Sequence, residues 1–153
     1  MKLKTIALVA HDSRKKKMLE WAEYNKETLQ KYSLCATGTT AKLLSSIELE
    51  DNNHLKVEAL YSGPLGGDQQ IGAMIAERKI DMLIFFCDNL AVQGHQNDVS
   101  ALSRLASLYN IPFATNRTTA DLILTSTLLN NDEYAVKTPN FSAYINRDAM
   151  KQK

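Results

Sequence analysis

The chain is poor in cysteine. Its two, Cys35 and Cys87, stand far apart with no CxxC pair. Such spacing argues against a disulfide framework or a thiolate metal site, and both fall in apolar runs that read as buried strands, so reduced core thiols are expected. Histidine is equally sparse: His11, His54 and His95 are too dispersed to suggest a zinc set, and no metal is expected. Proline and glycine number only three and six. No Pro/Gly/Ser-rich linker, repeat or low-complexity tract divides the chain, so residues 1–153 read as a single domain. An excess of either charge is also missing. With 18 basic and 17 acidic residues the formal charge is +1, which gives no reason to expect nucleic acid or an acidic membrane as partner. No apolar run approaches the length of a membrane span. The run at residues 6–10 breaks at His11-Asp12, too short for the apolar core of a secretion signal, so a cytoplasmic protein is expected.

What the chain does have is 153 residues, 44% of them hydrophobic, enough to bury a two-sided core. Five apolar runs are each followed at once by hydroxyl, acidic or imidazole residues. Ile6-Ala7-Leu8-Val9-Ala10 ends in His11-Asp12, and Ser33-Leu34-Cys35-Ala36 ends in Thr37-Gly38-Thr39-Thr40. Val57-Glu58-Ala59-Leu60-Tyr61 leads into Ser62-Gly63, Met82-Leu83-Ile84-Phe85-Phe86-Cys87 into Asp88, and Ile111-Pro112-Phe113-Ala114 into Thr115-Asn116. Near-continuous apolar strands separated by helical patterns are what a parallel sheet covered on both faces requires. The expected fold is therefore α/β: a doubly wound, mainly parallel five-stranded sheet with helices on both faces, a Rossmann-type three-layer sandwich. Parallel connections put every carboxyl end on one edge, where ligands of open α/β sheets bind.

The most specific stretch is Ser62-Gly63-Pro64-Leu65-Gly66-Gly67-Asp68-Gln69-Gln70-Ile71-Gly72. Its glycines permit a tight strand-to-helix turn, and Ile71, Met74 and Ile75 open an apolar helical face. Asp68 is thus expected near a helix N-terminus, beside an exposed glycine loop, with simple capping as the plainer reading. Thr37-Gly38-Thr39-Thr40 opens another helix and offers hydroxyls and free N–H groups to an anion, with an ordinary Thr cap as its plainer reading. It lacks the Walker lysine pattern, so a single phosphate group suits it better than a nucleoside triphosphate. In Lys15-Lys16-Lys17 the last two read as a solvated helix face, while Lys15 lies close enough to a strand end to turn toward an anion. Asp98 reads as the N-cap of the helix that follows the loop after Asp88. His95, in that loop, reads by default as a surface histidine, while a loop at the ligand edge can also bring it against the Asp68 turn for proton transfer beside a carbonyl.

Taken together, Ala10-His11-Asp12, Ala36-Thr37-Gly38-Thr39-Thr40, the segment from Ser62 to Gln70, Phe85-Phe86-Cys87-Asp88, His95 with Asp98-Val99, and Ala114-Thr115-Asn116 resemble the methylglyoxal synthase family. The likeness runs in order from about residue 4 to about residue 124. It implies a homohexamer that converts dihydroxyacetone phosphate to methylglyoxal and inorganic phosphate without cofactor or metal, with phosphate also an allosteric inhibitor. It implies Asp68 as the base that takes a proton from the hydroxymethyl carbon, His95 as the group polarising the carbonyl, and Asp98 as a proton-transfer partner. Lys15, Thr37, Gly38, Thr39, Thr40, Ser62 and Gly63 match phosphate-holding positions, His11 also lines the site, and Asp12 and Asp88 match acidic residues that organise it.

Proton removal next to a carbonyl leaves an enediolate, so a base and an electrophile must face different parts of one small substrate. Asn89 and Gly94 stand where the family usually has a proline, and Gln96-Asn97 where it usually has a Glu-Pro or Asp-Pro pair, which implies a looser loop by about 0.4–1 kcal/mol per proline lost. Ala41 replaces a common glycine. Two other functions remain open at this point. One is a non-catalytic phosphate-sensing domain of the same fold; the other is an isomerase that keeps the phosphate ester intact.

Overall fold

The computed structural model describes residues 3–90 and 96–148. Its elements are β1 (Thr5–Ala10), α1 (Lys15–Tyr24), α2 (Lys26–Leu29), β2 (Ser33–Ala36), α3 (Gly38–Leu44), β3 (Glu58–Ala59) and α4 (Gly67–Ala76), then β4 (Met82–Phe86), α5 (Gln96–Leu108), β5 (Phe113–Ala114), α6 (Arg117–Thr125) and α7 (Ser142–Ile145). Short 3-10 turns at Asp12–Arg14 and Gly63–Leu65 follow β1 and β3. The strands lie in the order β3-β2-β1-β4-β5, and every pairing is parallel. The chain winds outward from β1 to β3, then crosses back to β4 and β5. The direction of winding therefore changes between β1 and β4, where open sheets of this kind leave a crevice.

Alternation along the strands divides the apolar residues between two faces. Ile6, Leu8, Ile84 and Phe86 pack with Trp21 of α1, Leu44 of α3 and Leu124 of α6. Ala7, Val9, Leu83 and Phe85 pack instead with Ile71 and Ile75 of α4 and Leu102 of α5. Helices thus cover both faces, as the apolar runs predict. Trp21 is fully buried, sits edge-on to Phe86 at 5.6 Å, and donates its indole N–H to Asp121 at 2.8 Å. That bond satisfies the one polar atom of the largest core side chain.

Two strands are shorter than the sequence predicts. At the sheet edge, β3 pairs only Glu58 and Ala59, both exposed, with Cys35 and Ala36. Hydrogen bonds from Leu60 N–H to the Ala36 carbonyl (2.8 Å) and from Gly38 N–H to the Tyr61 carbonyl (3.3 Å) still hold the chain beside β2 up to the next turn. In β5 the ladder is cut by Pro112, which has no N–H to donate and enters only as the acceptor of Leu83 N–H at 3.0 Å.

Both cysteines are buried, as predicted. Burial, helped by the charge of Glu58, pushes the Cys35 thiol up from 9.0 to about 11, and burial raises Cys87 as well. A thiol raised in the folded state ionises first in the unfolded chain. Its contribution to stability is therefore intact below about pH 9 and is lost as pH climbs toward about 11. Urea unfolding is expected to show the wild type losing on the order of 2 kcal/mol more than Cys35→Ala between about pH 8 and about pH 11. Equal losses would contradict burial of this thiol.

Candidate active site

The ends of β1, β2 and β3 and the start of α4 enclose a cleft of about 310 Å³, lined by Val9, Ala10, His11, Asp12, Lys15, Thr37, Thr39, Ser62, Gly63, Pro64, Asp68 and Phe85. The local sequence explains how Asp68 reaches it. After Tyr61 the chain reverses through a 3-10 turn in which the Ser62 carbonyl accepts the N–H groups of Leu65 and Gly67, each at 3.0 Å. Gly66 then takes φ of +106°, a left-handed conformation that favours glycine. Gly67 follows, pressed so close to the strand end that a Cβ would stand 1.9 Å from the Tyr61 carbonyl oxygen. The Gln70 side chain closes the junction by accepting the Tyr61 N–H at 2.8 Å.

Asp68 is the second residue of α4 and is 7% exposed. Gly66 holds the N-cap position and makes no side-chain cap bond, so Asp68 is not a cap. Its carboxylate faces the Ser62-Gly63 turn: a Cβ at Gly63 would stand 3.2 Å from Oδ2. It lies in the first turn of α4, at the positive end of the helix dipole. Among the described residues the buried polar side chains are Asp68, Thr37 and Thr40. Buried polar groups are informative because burial penalises them unless they have a use. Thr37 precedes α3 and makes no side-chain cap bond either. Thr40 Oγ1 is buried without a hydrogen-bond partner among the described residues.

Of the remaining candidates, Lys15 lines the cleft and forms an ion pair with Asp12, while Lys16 and Lys17 are exposed as predicted. Gly38 opens α3 under the same rim. Asp88 does not line the cleft. Its carboxylate accepts from the Ser13 hydroxyl and from Leu90 N–H (3.0 Å), lies 3.9 Å from the Arg14 guanidinium, and its own N–H donates to His11 Nδ1 at 2.8 Å. Asp98 lies within the first turn of α5, which starts at Gln96, so it is not the N-cap that the sequence predicts. His95 lies outside the described residues. Thr115-Asn116 does not join the cleft: Asn116 caps α6 by accepting Thr119 N–H at 2.9 Å. The strand order explains this, since β5 is at the far edge from β2 and β3.

Sequence reasoning missed Ser13 and Arg14 as partners of Asp88, and Phe85, whose ring packs edge-on against His11 at 5.0 Å. The only available signal was that Ser13-Arg14 follows His11-Asp12 at a strand end. Larger clefts of about 970 Å³ and about 510 Å³ lie beside residues 49–58 and beneath residues 126–138. Neither contains a candidate residue, and convergent polar groups rather than volume make the smaller cleft the candidate site. Among the described residues no group of His, Cys, Asp or Glu is placed to hold a metal ion, and no helix is long and apolar enough to cross a membrane.

Fold and cleft together define an open, doubly wound α/β protein with a polar site at the carboxyl edge of its sheet. Comparisons with known proteins narrow the class. A family model of the MGS-like domain matches residues 17–115. The chain is 51% identical to the methylglyoxal synthase of Proteus mirabilis over 144 residues, covering 93% of this chain and 90% of that protein. It is 48% identical to that of Vibrio parahaemolyticus, with the same coverage. The crystal structure of methylglyoxal synthase from Elizabethkingia anophelis superposes with a TM-score of 0.82 at 44% identity, covering 95% of this chain and 92% of that one. The chain belongs to the methylglyoxal synthase family.

The Gly67 contact gives a direct test of how the site is built. Gly67→Ala forces apart α4 and the end of β3 and is expected to destabilise the protein by about 3 kcal/mol. Thermal unfolding measures this, and an unchanged midpoint would contradict the close approach.

Proposed function

We propose that this cleft converts dihydroxyacetone phosphate to methylglyoxal and inorganic phosphate. The observation that carries the reading is the placement of Asp68, a carboxylate buried at 7% exposure, in one cleft with the Thr37, Thr39 and Ser62 hydroxyls. A domain that only senses phosphate has no use for a buried carboxylate beside its anion site.

In this reading Lys15, the Thr37, Thr39 and Ser62 hydroxyls and the backbone at Gly38 and Gly63 hold the phosphate, with Thr40 supporting the cradle. The incoming dianion shares Lys15 with Asp12. Asp68 takes a proton from the hydroxymethyl carbon, and the carbonyl oxygen gains the charge of an enediolate. His95, carried over from the family likeness, donates to that oxygen, and Asp98 serves as its proton-transfer partner. Loss of the enediolate hydroxyl proton then drives electrons through the carbon skeleton and breaks the carbon–oxygen bond to phosphate. The enolate of methylglyoxal that remains takes a proton on its methylene carbon. Elimination requires that breaking bond to stand perpendicular to the enediolate plane, where the π electrons reach its antibonding orbital. Held in the plane, the same intermediate would be reprotonated to an aldose phosphate. Inhibition by phosphate, assembly as a homohexamer and a cytoplasmic location belong to the same proposal by family likeness.

Purified protein given dihydroxyacetone phosphate is expected to release methylglyoxal and phosphate in equal amounts. Release no faster than the spontaneous rate, or formation of aldose phosphate, would contradict the proposal. Asp68→Asn is expected to lower kcat by about 10²–10⁴-fold, the usual range for a general base, while calorimetry still detects phosphate binding. Near-normal turnover in that variant would remove Asp68 from its role.

A further inference from the structure

A backbone N–H can only donate, so the 2.8 Å contact from Asp88 N–H makes His11 Nδ1 an acceptor. The single proton of the neutral ring then sits on Nε2. An imidazolium carries protons on both nitrogens and would set one N–H against another here. Nε2 is buried, His11 lines the cleft, and the Phe85 ring packs edge-on against it at an interplanar angle of 78°, fixing the ring plane. The Asp88 N–H is placed by the backbone bond from His11 N–H to the Phe86 carbonyl (3.1 Å) and by its own carboxylate. That group joins the Ser13 hydroxyl to Leu90 N–H across the two strand ends, with Arg14 at 3.9 Å. The charged groups around the ring are Asp12, Lys15 and Asp68, which line the same cleft, Asp88, whose N–H reaches Nδ1, and Arg14, which lies 3.9 Å from Asp88.

We propose that Asp88 is a positioning residue that locks His11 in the neutral tautomer with its proton on Nε2. His11 is then held as a neutral ring in the wall of the cleft. The effect on turnover rests on the functional reading above, whereas the tautomer is a property of the free protein.

Nitrogen-15 NMR of the histidine rings in substrate-free protein, assigned with His11→Gln, tests the tautomer. Nε2 is expected to carry the proton and Nδ1 to be bare from about pH 5 to about pH 8. A proton on Nδ1, or titration of this ring to the imidazolium within that range, would overturn the proposal. Asp88→Asn keeps an acceptor for Leu90 N–H and is expected to keep the single tautomer. Asp88→Ala is expected to mix tautomers and lower kcat at least about tenfold, the order of effect of a small misplacement. If Asp88→Ala does not fold, Ser13→Ala removes one arm of the same brace and is expected to mix the tautomers too. An unchanged tautomer in whichever of these folds would refute the positioning role. The pH profile of kcat in His11→Gln is expected to keep both wild-type limbs, and loss of a limb would show that His11 titrates. A protein with the expected tautomer but no methylglyoxal release would refute the functional reading alone.

Discussion

The position of Asp68 depends on how closely the start of one helix can press against the end of one edge strand. Gly67 makes that approach possible, because any side chain there would collide with the Tyr61 carbonyl. The Gln70 side chain and the Ser62 carbonyl then tie the two segments together. Without this junction the carboxylate would swing out of the cleft or into solvent. With it, a carboxyl group is held at 7% exposure in the first turn of α4, where burial of a polar group is costly unless it has a use.

The all-parallel sheet supplies the rest of the geometry. Because every strand points the same way, the turns after β1, β2 and β3 gather on one edge, and residues far apart in sequence become neighbours. β4 contributes less directly. Its Phe85 packs against His11, and Asp88 beyond it braces the β1 and β4 ends against each other. The site is thus a rim of short turns on a rigid, two-sided core, and small shifts in those turns have large consequences for proton transfer.

Much of the fold was legible in the sequence because buried parallel strands leave continuous apolar runs. β1 and β4 match their runs closely, and α4 starts where the glycine pattern places it. β3 and β5 were overextended, the first because an edge strand pairs on one side only, the second because Pro112 lacks a donor. In the site, the hydroxyl cluster at Thr37 and Thr39, Ser62 and Asp68 meet as their position at strand ends suggests. Asp98 and Asn116 were harder to read. Asp and Asn just before a helical pattern serve equally well as caps or as functional groups, and only strand order and exact helix starts separate the two uses. The brace from Ser13 to Asp88 was invisible because it joins loops with no pattern of their own.

The central claim is that a phosphorylated substrate has its phosphate in the hydroxyl-lined turns while its reacting carbon meets Asp68. A crystal structure of the protein with a phosphorylated carboxylate that mimics the enediolate tests this most directly. The account predicts the phosphate against Thr37, Thr39 and Ser62, with the carboxylate of the mimic within hydrogen-bond reach of Asp68. A phosphate seated in either of the larger clefts, or a mimic whose carboxylate turns away from Asp68, would contradict it.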